Sequence, residues 1–142
     1  MLVAGFAADA IAQSAPKPET LVANRQAAMR LQWKYLGPMV LMARNRVPYD
    51  AAVASRNAGY LQVLLNMAWD DFQPSTQGVK SWALPVVYTE ADKFKAAQDA
   101  VKSEAAKLVN TVNSGDEAAI KAGALALNDA CNNCHDKFRQ KQ

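Results

Sequence analysis

The sequence predicts an all-α protein, an antiparallel four-helix bundle, and three observations carry that expectation. Alanine supplies 28 of the 142 residues and glycine only six, and alanine is the best helix former and a poor strand former. Apolar residues recur three and four positions apart along four long segments, the period of a helix with one buried face. Breaks rich in proline, glycine and asparagine separate those segments, and most are short enough to turn one helix back along the last. The composition, 51% hydrophobic and 20% charged, is that of an ordinary globular chain of one domain.

The first dozen residues are small and apolar, and Ala10-Ile11-Ala12 before Gln13 fits a signal-peptidase site. No basic stretch precedes it and Asp9 interrupts the apolar run. Residues 1–12 are therefore read as a truncated export signal, or else as a disordered tail, and residues 13–142 as the bundle domain. After Pro16 and Pro18 a helical pattern starts near Glu19 and runs to about Arg44, through Leu21, Val22, Ala28, Met29, Leu36, Met39, Val40 and Ala43. Pro38 removes one backbone donor and crowds the Lys34 carbonyl, which predicts a kink. Between Ala27 and Ala43 only Arg30, Gln32 and Lys34 are strongly polar, so this helix has a second apolar surface to cover.

The second helix is capped by Asp50, with its stripe at Ala54, Ala58, Leu61, Leu65, Ala68 and Phe72 and its end at Pro74. A long connection, 73–87, holds Pro74, Gly78 and Pro85. Thr89 is expected to cap the third helix, whose first turn is acidic. Its stripe is Phe94, Ala97, Val101, Ala105, Leu108 and Val112, and Gly115 stops it. Asp116 opens the fourth, with Ile120, Ala124, Leu127, Cys131, Cys134 and Phe138 on one side. No internal repeat is visible.

Several function classes drop out early. The net charge is only +3 and the basic residues are scattered, which argues against a nucleic-acid partner. No run approaches the roughly 18 apolar residues of a membrane span. A single histidine, His135, excludes bis-histidine haem and two-histidine metal sites, and leaves a Ser-His-Asp hydrolase nothing but His135 to use.

Both cysteines and that histidine fall in five residues, Cys131-Asn132-Asn133-Cys134-His135. On a helix, positions i, i+3 and i+4 share a face, which suits two thiols adding to the vinyl groups of one haem while the histidine binds its iron. The pattern is that of c-type haem attachment. A redox dithiol of the thioredoxin kind needs a βαβ setting. A structural zinc needs four ligands where three exist, and a disulfide at this spacing on a helix is strained and leaves His135 without a role. One haem c, bound through Cys131 and Cys134, is the expected cofactor. Such attachment takes place outside the bacterial inner membrane, so the expected location is the periplasm.

A haem motif near the C-terminus of a four-helix bundle resembles the cytochromes c′, the class II c-type cytochromes. The resemblance spans Lys17 to Lys141 and rests on Lys17-Pro18-Glu19, Arg25-Gln26, Gly37-x-Met39, Pro48-Tyr49-Asp50-Ala51-Ala52, Trp69-x-x-Phe72-x-Pro74-x-Thr76-x-Gly78, Pro85-x-x-Tyr88 and Cys131-x-x-Cys134-His135-Asp136-x-Phe138-Arg139. It implies His135 as axial iron ligand, Arg25 and Gln26 at a haem propionate and edge, and Met29 over the distal face. It also implies Trp69 and Phe72 against the haem or its rim and Arg139 beside the proximal face. Pro38 departs from the pattern.

The expected function is a periplasmic haem protein with five-coordinate, high-spin iron, acting in electron transfer or in binding small diatomic gases such as nitric oxide, with Trp33 and Leu36 as a distal lid. The alternative is a six-coordinate carrier in which Met29 is the distal ligand. A haem enzyme, a peroxidase or nitric-oxide reductase, is the weaker reading, because the mapped distal stretch offers no general acid or base. The apolar Ala27–Ala43 stretch, with Trp33, Leu36 and Val40, predicts a homodimer through the first two helices, and an unidentified redox protein is the expected electron partner.

Overall fold

The computed structural model describes residues 15–141; the expected leader, 1–12, lies outside them. The chain forms α1 (Pro18–Ala43), α2 (Ala51–Met67), a 3-10 turn at Pro74–Thr76, the single-turn α3 (Val86–Thr89), α4 (Ala91–Ser114) and α5 (Glu117–Phe138). Helix α1 packs on α2 and α5, and α4 packs on α2 and α5, which closes the four-helix bundle.

Local chemistry accounts for most boundaries. Pro18 occupies the first turn of α1, where its missing N–H costs nothing. Asp50 accepts from Val53 N at 3.0 Å and Asp116 from Ala119 N at 3.1 Å, so both expected caps form. Gly115 ends α4 at φ 74°, a left-handed conformation that glycine adopts without cost. Pro38 lies within α1, which continues for five residues beyond it.

Two boundaries differ from the sequence reading. Helix α2 stops at Met67, well short of the expected end at Pro74, and the chain then turns through 68–71. Apolar Ala68 and Phe72 extend the stripe, but their burial comes from a turn folded onto the bundle, which periodicity alone does not distinguish from another helical turn. Thr89 does not cap α4. It ends α3, and Glu90, at φ −119° and ψ 52°, breaks the chain between the two helices with no side-chain cap.

The core holds Leu36, Met39 and Val40 of α1, Leu61 and Leu65 of α2, Val101, Ala105 and Leu108 of α4, and Ile120, Ala124 and Leu127 of α5. Leu36 and Val40 therefore belong to the bundle interior and not to a second surface. What α1 and α2 leave exposed is Leu31, Trp33 and Leu41 on the first and Tyr60, Val63 and Met67 on the second. No described helix is long and apolar enough to cross a membrane.

Candidate haem site

The C-terminal half of α5 carries Cys131, Cys134, His135 and Phe138 into one cavity of about 690 Å³, within the roughly 300–1,000 Å³ usual for small-molecule and cofactor sites. Opposite elements complete the wall. Helix α1 contributes Arg25, Gln26, Met29, Gln32, Trp33 and Leu36, the turn after α2 contributes Trp69 and Phe72, and α4 contributes Phe94 and Val101. All nine residues singled out in the sequence line this one space: Arg25, Gln26, Met29, Trp69, Phe72, Cys131, Cys134, His135 and Arg139.

The floor is aromatic. Phe94 lies 5.0 Å from Phe72, 5.1 Å from Phe138 and 6.0 Å from Trp69, centroid to centroid, mostly edge to face. The C-terminal end of α5 is tied down by the long connection. Leu84 N donates to Phe138 O at 2.9 Å, and Gln140 N donates to Trp82 O at 2.8 Å. Arg139 is the C-cap of α5, its N–H donating to His135 O, and its side chain is exposed at the cavity rim.

Burial keeps the three donor groups of α5 neutral. It pushes the Cys131 thiol up to about 11, with the neighbouring Cys134 adding to the effect, and it pushes Cys134 up to about 11 against the pull of Lys137. Burial, then the nearby Arg139 charge, lowers the His135 pKa. A neutral imidazole is the form that binds iron. Cys131 and Cys134 are not joined to each other by a disulfide. Among the described residues no three His, Cys, Asp or Glu side chains converge to hold a bare metal ion. Two thiols and an imidazole spread along one wall suit a flat ligand that spans them.

Arg25 supplies an independent indication. It is 3% exposed, and among the described residues its hydrogen bonds go only to neutral oxygens, at Thr76 Oγ1, Tyr88 OH, Ser81 Oγ and the Asp71 carbonyl. Its guanidinium stacks over the Phe72 ring at 4.3 Å. A buried cation without a counter-charge is costly unless an anion completes it, and this one lies on the cavity wall. An acidic edge such as a haem propionate fits that place. The residues present therefore fit a covalently held haem in their chemistry and in the room they enclose.

Of the expected distal pair, both line the cavity but only Leu36 is buried. Trp33 is 61% exposed, its ring lying against Gly37, where an added Cβ would meet it at 3.4 Å. The sequence reading also missed residues of the wall: Ser81, Trp82 and Ala83 of the connection, Gln32 of α1 and Asn128 of α5. Asn128 stands one turn before Cys131, so helical spacing was the available signal for it. Nothing local marked the connection.

The chain matches the family model described as cytochrome C′ over residues 20–139. It is 36% identical over 126 residues to the cytochrome c′ of Rubrivivax gelatinosus, covering 88% of this chain and 98% of that one. It is 31% identical over 136 residues to a cytochrome c-554 of Cereibacter sphaeroides, covering 93% and 88%. The Rubrivivax gelatinosus crystal structure superimposes with a TM-score of 0.85 at 34% identity over 89% of this chain and all of that one. A nitric oxide complex of a cytochrome c prime variant from Alcaligenes xylosoxidans gives 0.84 at 31% identity, over 91% and 100%. The chain belongs to the cytochrome c′ family.

Proposed function

We propose that this member of the cytochrome c′ family carries one haem c, attached through Cys131 and Cys134 with His135 as axial ligand, and uses it to pass electrons and to bind small neutral gases. The observation that carries the reading is the convergence of those three side chains with the uncompensated Arg25 on one largely apolar cavity. When bound, the haem supplies a one-electron couple and an iron with an open coordination position; its behaviour follows from the axial ligand and the polarity of the opposite pocket.

The rest is set by the chain. His135, kept neutral by burial, would offer a ring nitrogen to the iron. Arg25 and Gln26 take an acidic edge, and Trp69, Phe72, Phe94 and Phe138 exclude water from the rings. On the α1 side, Met29 and Leu36 offer gases an apolar approach. Among the described residues no carboxylate lines the cavity, so its described wall offers no carboxylate as acid–base partner for peroxide cleavage. This supports a binding and transfer protein rather than an enzyme.

We assign the iron a five-coordinate, high-spin state, with Met29 close to the distal face but not bonded. The related protein solved as a nitric oxide complex supports an accessible iron. Export to the periplasm is supported by the chemistry of haem attachment and by the small, apolar residues that precede Gln13. A homodimer through α1 and α2 is supported by exposed Trp33 and Leu41 on α1. On α2, Tyr60, Val63 and Met67 share one face by their three- and four-residue spacing. Its redox partner is a separate protein.

The test is expression in a cytochrome-maturing host, followed by intact mass and absorption spectra with and without nitric oxide. A haem-sized mass increase and a high-spin spectrum that responds to nitric oxide are expected. No mass increase overturns the haem assignment. A low-spin spectrum with a sulfur-to-iron charge-transfer band, lost in Met29→Ala, overturns the open site in favour of a six-coordinate electron carrier.

A further inference from the structure

Three hydroxyl groups surround Arg25. Arg25 Nη1 donates to Thr76 Oγ1 at 3.0 Å and to Tyr88 OH at 3.1 Å, and Nη2 donates to Ser81 Oγ at 3.1 Å. Thr76 Oγ1 and Tyr88 OH are themselves 2.6 Å apart, and Thr76 Oγ1 donates to Gln73 O at 2.6 Å. Thr76 is 1% exposed. These three residues come from the 3-10 turn, the loop after it and α3, while Arg25 comes from α1, 51 to 63 positions away in sequence. The long connection thus folds over one arginine and grips it with oxygens that carry no charge.

That choice of partner has an electrostatic consequence. A carboxylate in the same place would bind the guanidinium and cancel its field. Hydroxyls bind it and leave its charge free to offset that of an acidic haem edge, while the Thr76–Tyr88 contact and the Phe72 ring below hold its orientation. Nε–H and one Nη2–H remain for a further acceptor, and a carboxylate accepts two arginine N–H groups well.

Resting on the haem assignment above, we propose that Thr76, Ser81 and Tyr88 are positioning residues: a neutral hydroxyl clamp that holds the full charge of Arg25 at the haem edge and thereby raises the reduction potential of the iron. A fixed positive charge in a partly buried site disfavours the ferric state, which carries one more positive charge than the ferrous. When the clamp is loosened, the guanidinium swings toward solvent, where water screens it.

The test is a spectroelectrochemical titration of the haem-loaded protein and of Tyr88→Phe, Ser81→Ala, their double variant, Thr76→Val, Thr76→Ser and Arg25→Met. Arg25→Met should favour the ferric state by about tenfold in the redox equilibrium, which for one electron is 59 mV. The double variant should move in the same direction by about threefold or more, each single hydroxyl loss by less. Thr76→Ser, which keeps the hydroxyl, should match wild type where Thr76→Val does not. If Thr76→Val fails to fold, the double variant carries the test, since it deletes two oxygens and no main chain. Clamp variants with the wild-type midpoint, beside a shifted Arg25→Met, overturn the proposal while the haem assignment stands. A wild-type protein that acquires no haem overturns both.

Discussion

Truncating Phe94 to alanine should unfold this protein at a markedly lower temperature, and the geometry gives the size of the drop. Phe94 is 5% exposed and touches the rings of Trp69, Phe72 and Phe138 at 5.0–6.0 Å. It is the one ring that joins the turn after α2 to the end of α5. Buried Phe→Ala changes cost about 3–5 kcal/mol, lost ring contacts included, and the three favourable aromatic pairs made by Phe94 place it in the upper part of that range, near 4–5 kcal/mol. Over residues 15–141, at about 2.1 cal/mol/K per residue of unfolding entropy, that is a fall of roughly 15–19 °C in Tm. Phe94→Leu keeps much of the volume and should cost about 1–1.5 kcal/mol, or roughly 4–6 °C. Thermal unfolding of the haem-loaded variants, followed by far-ultraviolet circular dichroism, reads both. An alanine variant within about 5 °C of wild type, or one indistinguishable from the leucine variant, refutes the idea that this ring is the joint of the aromatic floor.

Val63→Lys, on the exposed face of α2, should convert a dimer to a monomer of about 15 kDa in light scattering by placing two like charges across a two-fold contact; a wild type that already scatters as a monomer refutes the dimer. Met29→Leu keeps the volume without the sulfur and should leave the haem spectrum high-spin; loss of a low-spin signature on this change would refute the open iron. Gly115→Ala should destabilise by about 1 kcal/mol while Gly115→Asn costs less, because the φ of 74° is the only obstacle there and no neighbour lies within 4 Å of an added Cβ; equal losses in urea unfolding would mean that sterics set the cost. Asp116→Ala should lower stability by about 0.5–2 kcal/mol through the lost bond to Ala119 N, and an unchanged urea midpoint would show that the cap does not matter.

The four long helices were legible because each signal for them is local. Asp50, Asp116 and Gly115 act on their own neighbours, and a stripe such as Ile120, Ala124, Leu127 and Phe138 is a property of one helix. The donor set was equally legible, since Cys131, Cys134 and His135 need only helical spacing to share a face. The end of α2 was not. Ala68 and Phe72 continue the apolar period, and whether the backbone stays helical there depends on what the turn packs against.

The surface of α1 shows the same division. Its sequence announced more apolar residues than one face needs, but not which of them the bundle would absorb; Leu36 and Val40 went inside and Trp33 and Leu41 stayed out because α2 and α5 approach from particular directions. The partners of Arg25 lie furthest from what a linear reading reaches. Local signals in the sequence specify a helical bundle with a Cys-x-x-Cys-His stretch on its last helix, because periodicity, caps and that spacing act over a few residues. That the connection after α2 closes over α1 and surrounds a buried charge with Thr76, Ser81 and Tyr88 is a product of packing between distant segments. Hydrogen bonds between residues more than 50 positions apart leave no period in a sequence, and they exist only once the packing of the helices has brought their donors and acceptors together.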